Sequence, residues 1–428
     1  MIFKHIRKFL PFFLILFITI GVFSAPISVF PSDSTSPQEI FRSGYDLFRQ
    51  GKILHHRGEL EEALKNYRSA EETWLALGSA HPDWRPEGVG GRLELVREKI
   101  RETEAILAEK KSWENPLRIH FIDVGQGDSA LIQCPDGSNI VIDGGPMSAY
   151  PFLVNYLKRA GIEKIDMMIA THPDGDHIGG FPKLLKTFPV DTVLDSGKEH
   201  TTNLYQRYLA TIEESTDTEF KLGRAGDRYH FGKVELLLIH PSSRLPSKNN
   251  DCSIMLRLRY GSQTFLFTGD AEKKAERESM NRGFPLRSTV LKVGHHGSKS
   301  STSARFLNAV SPRAAVISCG YKNSFGHPAA EVMEKLQMKR IEIYRTDLQG
   351  TILLVSNGNE YRVEFPGKAV YPDYEIPPEH EGKIIANKET LIFHPPGSRY
   401  YRKVPPEDRE YFETEEDALG SGYYKSWY

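Results

Sequence analysis

Residues 171–180 read THPDGDHIGG. Two imidazoles, His172 and His177, and two carboxylates, Asp174 and Asp176, fall within this one short stretch. It follows an apolar run, IDMMIA (165–170), and passes through Gly179 and Gly180 into a segment with helical character. The motif therefore sits at a strand end, just before a helix. Four such groups in one loop repel or desolvate one another unless a cation holds them. Imidazole nitrogen and carboxylate oxygen suit zinc or a similar divalent ion.

Outward from this loop the texture is β-rich. From Leu117 short runs alternate with Gly- and Asp-rich turns: IHFIDVG, SALIQC, NIVIDGG, MMIATH, VELLLIH, SIMLRLRY, TFLFTGD, VLKVGHH and AAVISCG. Helical stretches lie between some of them, at 150–161, 180–187, 270–282, 301–310 and 328–338. Hairpins mixed with helical crossovers predict sheet layers covered by helices. Two runs end in further ligand types, Asp270 in TFLFTGD and the pair His295–His296 in VLKVGHHGS. Taken singly, an Asp in a Gly-Asp turn is a turn-former, and a His pair is a surface feature. The order strand–HPDGDH, strand–TGD, strand–HHGS gives them weight together.

The ordered set FIDVGQGDSALIQ, VIDGG, THPDGDHIGG, NNDCSIMLRLRYG, TFLFTGDAE, LKVGHHGS and NSFGHP, spanning 117–366, resembles the metallo-β-lactamase superfamily. More narrowly it resembles the hydrolase domain of the ComEC competence-protein family. The resemblance implies an α+β fold, an αββα sandwich with a metal site at one edge between the sheets. It implies two divalent ions, with zinc first. The superfamily's HxHxDH motif maps onto His172, Asp174, Asp176 and His177, so its second histidine is Asp here. That hardens the site and makes manganese the rival. One metal takes His172 and Asp174, the other Asp176 and His177, and Asp270 bridges them. His295 is the preferred last ligand and His296 the alternative. The superfamily's middle histidine has no clear match; Asn250 and Asp251 stand near its place. Asp176 also orients the nucleophile. His327, in the FGHP turn, stabilises developing charge or protonates the leaving group, with capping of the next helix as its plain structural role. Gln126 and Asp128 shape the rim, and Asp143 braces the loop.

By the same resemblance the leading function is a metal-dependent phosphodiesterase, a DNA nuclease with nucleic acid as substrate. Two other readings stay open: a hydrolase of another phosphoester or ester, such as a phosphorylcholine group, and a non-catalytic binding protein that keeps the fold. The family's large membrane channel has no counterpart here, so the chain reads as a free-standing enzyme and DNA uptake is not inferred.

The flanks carry other expectations. Lys4, Arg7 and Lys8 precede an apolar run from Phe9 to Phe23, then Ser24 and Ala25. Basic, apolar, small is the order of a secretory signal, and the run is short of the ~20 residues a membrane span needs. Residues 1–25 are read as a signal, or as an anchor if uncleaved, and the rest as periplasmic or secreted. A Pro/Ser-rich linker, 26–38, follows. Residues 39–111 are helical, and Gly51, Gly58, Ala63, Tyr67 and Ala70 resemble the small and aromatic positions of a tetratricopeptide repeat. That implies a surface for a protein partner or for the catalytic domain; a helical spacer is the alternative. His55 and His56 read as solvated surface. Residues 367–428 form a linker and a small aromatic-rich module. It resembles the Ada-type zinc module with Ser398 and Ser426 at cysteine positions, which implies a metal-free version whose aromatics stack on bases or simply pack.

Composition bounds these readings. The 428 residues carry 55 Lys plus Arg against 56 Asp plus Glu, which excludes a broadly basic nucleic-acid coat but not a local groove. Cys134, Cys252 and Cys319 make no CxxC pair, so buried thiols are expected rather than a disulfide framework or a cysteine zinc site.

Overall fold

The computed structural model describes residues 35–366, 374–388, 392–398, 401–402, 404 and 406–425. The signal-like segment and Ser426 lie outside these residues. The chain divides into two compact units, Met1–Lys111 and Ser112–Tyr428.

The first unit holds three helices: α1 (Pro37–His56), α2 (Leu60–Ala80) and α3 (Pro86–Ser112). A capping box between Ser36 and Glu39, with Pro37 in the first turn, starts α1. Helices α1 and α2 pack closely because small residues face aromatics. A Cβ built at Gly51 would lie 2.7 Å from the Tyr67 ring. Tyr67, Trp74, Ala63 and Ala70 are fully buried in this small core. His55 is not solvated surface as expected: it is half-buried, with Nδ1 3.1 Å from Thr103 Oγ1 on α3.

The second unit carries fifteen strands of a sandwich. In chain order they are β1 (Leu117–Phe121), β2 (Ser129–Gln133), β3 (Asn139–Gly144), β4 (Ile165–Ala170), β5 (Val190–Asp195), β6 (Glu219–Leu222), β7 (Arg228–Phe231), β8 (Val234–His240), β9 (Met255–Tyr260), β10 (Gln263–Phe267), β11 (Val290–Lys292), β12 (Ala314–Ile317), β13 (Glu342–Arg345), β14 (Ile352–Ser356) and β15 (Tyr361–Glu364). One sheet has the order β15-β14-β1-β2-β3-β4-β5-β6, the other β13-β12-β11-β10-β9-β8-β7. In each, antiparallel hairpins give way to parallel strands: β3-β4-β5-β6 in the first sheet and β10-β11-β12-β13 in the second.

Side-chain alternation builds three core layers. In β4, Met167 and Ile169 enter the core between the sheets while Met168 and Ala170 face the helices. In β8, Val234, Leu236 and Leu238 enter the inter-sheet core and Leu237 and Ile239 the opposite face. One outer layer packs helices 150–159, 181–187 and 203–214 on the first sheet. The other packs 273–281, 304–310 and 330–338 on the second. This is the expected αββα sandwich. All three cysteines are buried and free. No helix among the described residues is long and apolar enough to cross a membrane.

The tail forms a separate small sheet of β16 (Ile384–Asn387), β17 (Ile392–His394), β18 (Arg409–Phe412) and β19 (Tyr424–Lys425), ordered β18-β16-β17-β19. The His380 ring stacks on Tyr411 at 3.8 Å.

A buried histidine in β1 gives the fold a pH dependence. Gln133 donates its amide to Ala160 O, so its Oε1 accepts from His120 Nε2 (3.1 Å), and His120 Nδ1 accepts from the Tyr156 hydroxyl (2.7 Å). Burial pushes this imidazole down to about 4. In the unfolded chain it titrates near its ordinary value, so as pH falls from ~6.5 toward 4 the unfolded state takes up the proton first. The stability contribution is therefore intact above neutral pH and is lost toward pH 4. Between pH 7.5 and pH 5 the loss is about 2 kcal/mol. Urea denaturation of the wild type and of His120→Gln at both pH values is expected to show that the variant lacks this part of the slope.

Candidate metal centre

Several segments converge at one edge of the sandwich. Strands β3, β4, β10 and β11 run out there at their carboxyl ends, and the β1–β2 turn faces them. Asp143 lies near the end of β3, His172–His177 follows β4, Asp270 follows β10, and His295 and His296 follow β11. The backbone is strained where function needs it. Asp143, His295 and His296 all have positive φ (57°, 48° and 53°), a left-handed conformation uncommon for residues with a side chain. Gly127 has φ +143° and lets the turn reach the metal loop. A Cβ there would lie 2.4 Å from Asp176 O, which instead accepts the Asp128 N–H at 3.1 Å.

Each histidine is set by the partner of its inner nitrogen. Asp143 Oδ2 lies 2.8 Å from His177 Nδ1, and the same carboxylate accepts the Thr171 N–H and hydroxyl, both at 2.8 Å. The Thr171 hydroxyl proton is thus spent on Asp143, so His172 Nδ1, 3.1 Å from that oxygen, is the donor there. His296 Nδ1 donates to Ser318 O at 3.0 Å. All three imidazoles therefore turn Nε2 into the cluster. His177 Nε2 is 3.3 Å from Asp270 Oδ1, and His296 Nε2 is 3.2 Å from Asp176 Oδ2 and 3.5 Å from Asp270 Oδ2. His172 Nε2 is 3.5 Å from Asp174 Oδ2.

The electrostatics follow. Burial raises the Asp270 carboxyl, but the His296 and His177 imidazoles outweigh it and hold it well below the usual range. Burial works against charge on His296 as well, yet Asp270 and Asp128 push the ring up to about 10. The field that draws protons onto these rings also draws a metal cation, which replaces them.

The donor set passes a direct test of fit. His172 Nε2, His177 Nε2 and Asp270 Oδ1 are buried and have no hydrogen-bond partner among the described residues. Buried polar atoms left in this way need an ion or another partner. Ligand atoms of His172, His177 and Asp270 lie within 4.8 Å of one another, as do those of Asp176, His177 and His296, and of Asp128, Asp270 and His296.

The remaining predicted residues divide. Asp174 faces the cluster through Oδ2 and is held by Asn249, which donates to Oδ1 at 2.8 Å. The two adjacent histidines differ in placement. His296 is fully buried inside the cluster, whereas His295 has Nε2 3.7 Å from Asp270 and Nδ1 3.2 Å from Glu272. Asn250 points at Glu272 and His295, each at 3.3 Å. Asp251 does not line the site: its carboxylate accepts the Ala275 N–H at the start of helix 273–281. Gln126 accepts the Gly320 N–H and ties the β1–β2 turn to the loop after β12. His327 lies beside the cluster, its ring 5.5 Å from His295 and 6.2 Å from His296. It does not cap the next helix, whose cap, Ala329, has no side-chain bond. Burial and the neighbouring His296 and His295 push its imidazole down to about 4. Sequence reasoning missed Asn249, Glu272 and Lys292; the Lys292 ammonium is buried 2.7 Å from Asp128 Oδ2. His240, at the end of β8, bonds Ser253 O and does not supply the missing middle histidine.

Residues 122–321 match the metallo-beta-lactamase superfamily model. That stretch is the metallo-beta-lactamase domain of the chain. Among curated proteins the chain is similar to ComE operon protein 3 of Bacillus subtilis, 33% identical over 60% of this chain and 34% of the relative. It is also similar to competence protein ComA of Neisseria gonorrhoeae, 32% identical over 56% of this chain and 32% of the relative. These homologues of the metallo-beta-lactamase domain are ComEC-like competence proteins, and the chain spans about a third of their length. Among solved structures it is similar to the metallo-beta-lactamase fold protein YhfI from Bacillus subtilis. That match has 13% identity and a TM-score of 0.39, and covers 54% of this chain and 95% of the other.

Asp143 gives a prediction for this metallo-beta-lactamase domain. Carboxylates that orient metal-binding histidines typically contribute ~10–100-fold in metal affinity. Asp143→Ala is expected to weaken metal binding by that factor, read by competition with a chromogenic chelator. Unchanged affinity would mean that the His177 orientation does not depend on Asp143.

Proposed function

We propose that the domain is a dinuclear metal-dependent phosphodiesterase acting on DNA. The observation that carries this reading is the placement of Asp270. Its two oxygens face different imidazoles, Oδ1 toward His177 and Oδ2 toward His296, as a bridging carboxylate requires. His172 and Asp174 stand for one metal, and Asp176, His177 and His296 for the other, with His296 replacing His295 as the last ligand. Zinc or manganese suits this nitrogen and oxygen set.

Bound divalent ions supply Lewis acidity and lower the pKa of water. The protein's own residues do the rest. Asp143, Thr171 and Ser318 lock the tautomers of His177, His172 and His296. Asp176, a third exposed, faces the opening and accepts a hydrogen bond from the attacking water. The water oxygen bonds to phosphorus as the bond from phosphorus to the leaving oxygen breaks. The water's proton passes toward Asp176; His327, kept neutral by burial and the neighbouring histidines, is placed to donate an N–H hydrogen bond to the leaving oxygen, which takes its proton from solvent. The names of the relatives, competence proteins, support DNA as the substrate.

The test uses the purified chain with single- and double-stranded DNA under manganese, zinc or EDTA, beside His172→Ala. Metal-dependent cleavage is expected, reduced at least ~10³-fold in the variant. Bound metal without cleavage of any nucleic acid would contradict the reading and direct the search to other phosphoesters and esters.

The sequence of residues 1–25 supports export, and the helical unit is offered as the surface for a protein partner. The C-terminal module is read as metal-free, since Ser398 stands where a cysteine ligand would be needed.

A further inference from the structure

The loop between β12 and helix 330–338 carries an arrangement that the chemistry above does not use. Its sequence is GYKNSFGHP, 320–328. Tyr321 is 57% exposed and Phe325 67% exposed, the two most exposed aromatic side chains among the described residues. Large apolar side chains exposed on one loop, four residues apart, point to a ligand.

The loop is rigid. The Asn323 side chain donates to Gly320 O (2.8 Å) and His327 O (2.6 Å), and its Oδ1 accepts the N–H groups of Phe325 (3.2 Å) and His327 (3.0 Å). Gly320 N–H is anchored on Gln126. The Phe325 ring lies 5.8 Å from the His327 ring at 23°, nearly parallel, with its outer face in solvent. His327 in turn touches the two histidines after β11. A flat apolar surface is thus held one ring away from the metal centre. Lys322, whose ammonium lies 5.4 Å from the Tyr321 ring, puts a positive charge on the same loop.

We propose that Phe325 and Tyr321 form a stacking platform for the bases of a single-stranded nucleic acid whose phosphodiester lies in the metal centre. The proposal rests on the phosphodiesterase reading. A base stacks on an exposed aromatic face regardless of its identity, and one such contact is commonly worth a tenfold change or more in affinity. The platform selects unstacked strands, because bases paired in a duplex have no free face to offer. It also predicts little sequence preference.

The experiment compares the manganese-loaded wild type with Phe325→Ala, Tyr321→Ala and Phe325→Trp. Three substrates are used: a single-stranded oligothymidylate, an abasic strand of the same length, and methyl 4-nitrophenyl phosphate, which has no base. On oligothymidylate the two alanine variants are each expected to raise KM roughly tenfold. Phe325→Trp should stay near wild type. On the abasic strand and the small diester every variant should match wild type within about twofold. The platform is overturned if the alanine variants cleave oligothymidylate like wild type, if they lose all three substrates equally, or if wild type treats the abasic and base-bearing strands alike. A wild type that cleaves none of the three sinks the phosphodiesterase reading itself, which separates the two failures.

Discussion

Asp270→Ala is expected to remove both metal positions at once and to lower hydrolysis by at least ~10³-fold. Among the described residues Asp270 is the one carboxylate whose two oxygens face His177 and His296 separately, and His295 stands 3.7 Å away. It is buried, and its own N–H is held by the Ser253 hydroxyl at 3.1 Å, so the carboxylate is fixed before any ion arrives. Removing it leaves the three imidazoles with Asp174 and Asp176 but without the buried carboxylate that faces both His177 and His296, so the cluster loses one negative charge and the group placed to reach both positions. Elemental analysis after gel filtration is expected to give less than one metal per chain in the variant. Two tightly held ions in Asp270→Ala would show that the carboxylate does not bridge.

The second large effect is on stability. Lys292 enters from β11 and is buried, its ammonium 2.7 Å from Asp128 Oδ2 and 2.9 Å from Val293 O. Burial raises the Asp128 carboxyl, but Lys292 and His296 overcome it and bring it down to about 2. Taking away one partner of a buried pair strands the other charge, at a cost of about 3–5 kcal/mol. Lys292→Met is therefore expected to lose that much in chemical denaturation. The double variant Lys292→Met/Asp128→Leu should recover most of it, because the stranded charge is gone. A single variant within about 1 kcal/mol of wild type would mean that water already reaches the pair. The pair also braces the metal centre, since Asp128 Oδ1 lies 3.2 Å from His296 Nδ1.

Much of this site is legible in the sequence because its residues come in short local motifs at strand ends. The loop 172–177, Asp270 and the strands that end at them follow from apolar runs and the turns that close them. The αββα layering follows from alternation, which in β4 and β8 sends neighbouring side chains to opposite faces. Which of His295 and His296 lies deeper in the cluster is not legible in the sequence, for a physical reason. Both residues are left-handed, so counting forward from a strand no longer tells which side chain turns inward. Asn249 and Glu272 carry no local signal, because each acts on a residue distant in sequence, Asp174 and His295. Lys292 sits inside VLKVGHHGS, but a lysine in a strand reads as an exposed edge residue until its partner is seen. The strands β6, β7 and β15 escape notice because they are only partly buried and lack a strong apolar run. β14 is apolar enough, yet its partner β1 lies more than two hundred residues earlier, beyond any local pattern.

These residues are proposed to hold two divalent ions around Asp270. Anomalous diffraction from crystals of the manganese- or zinc-loaded protein tests this most directly. Two peaks are expected to flank the Asp270 carboxylate, with Nε2 of His172, His177 and His296 turned to them and His295 outside the coordination sphere. A single ion held by His295 and Glu272, or no peak within the loop cluster, would contradict it.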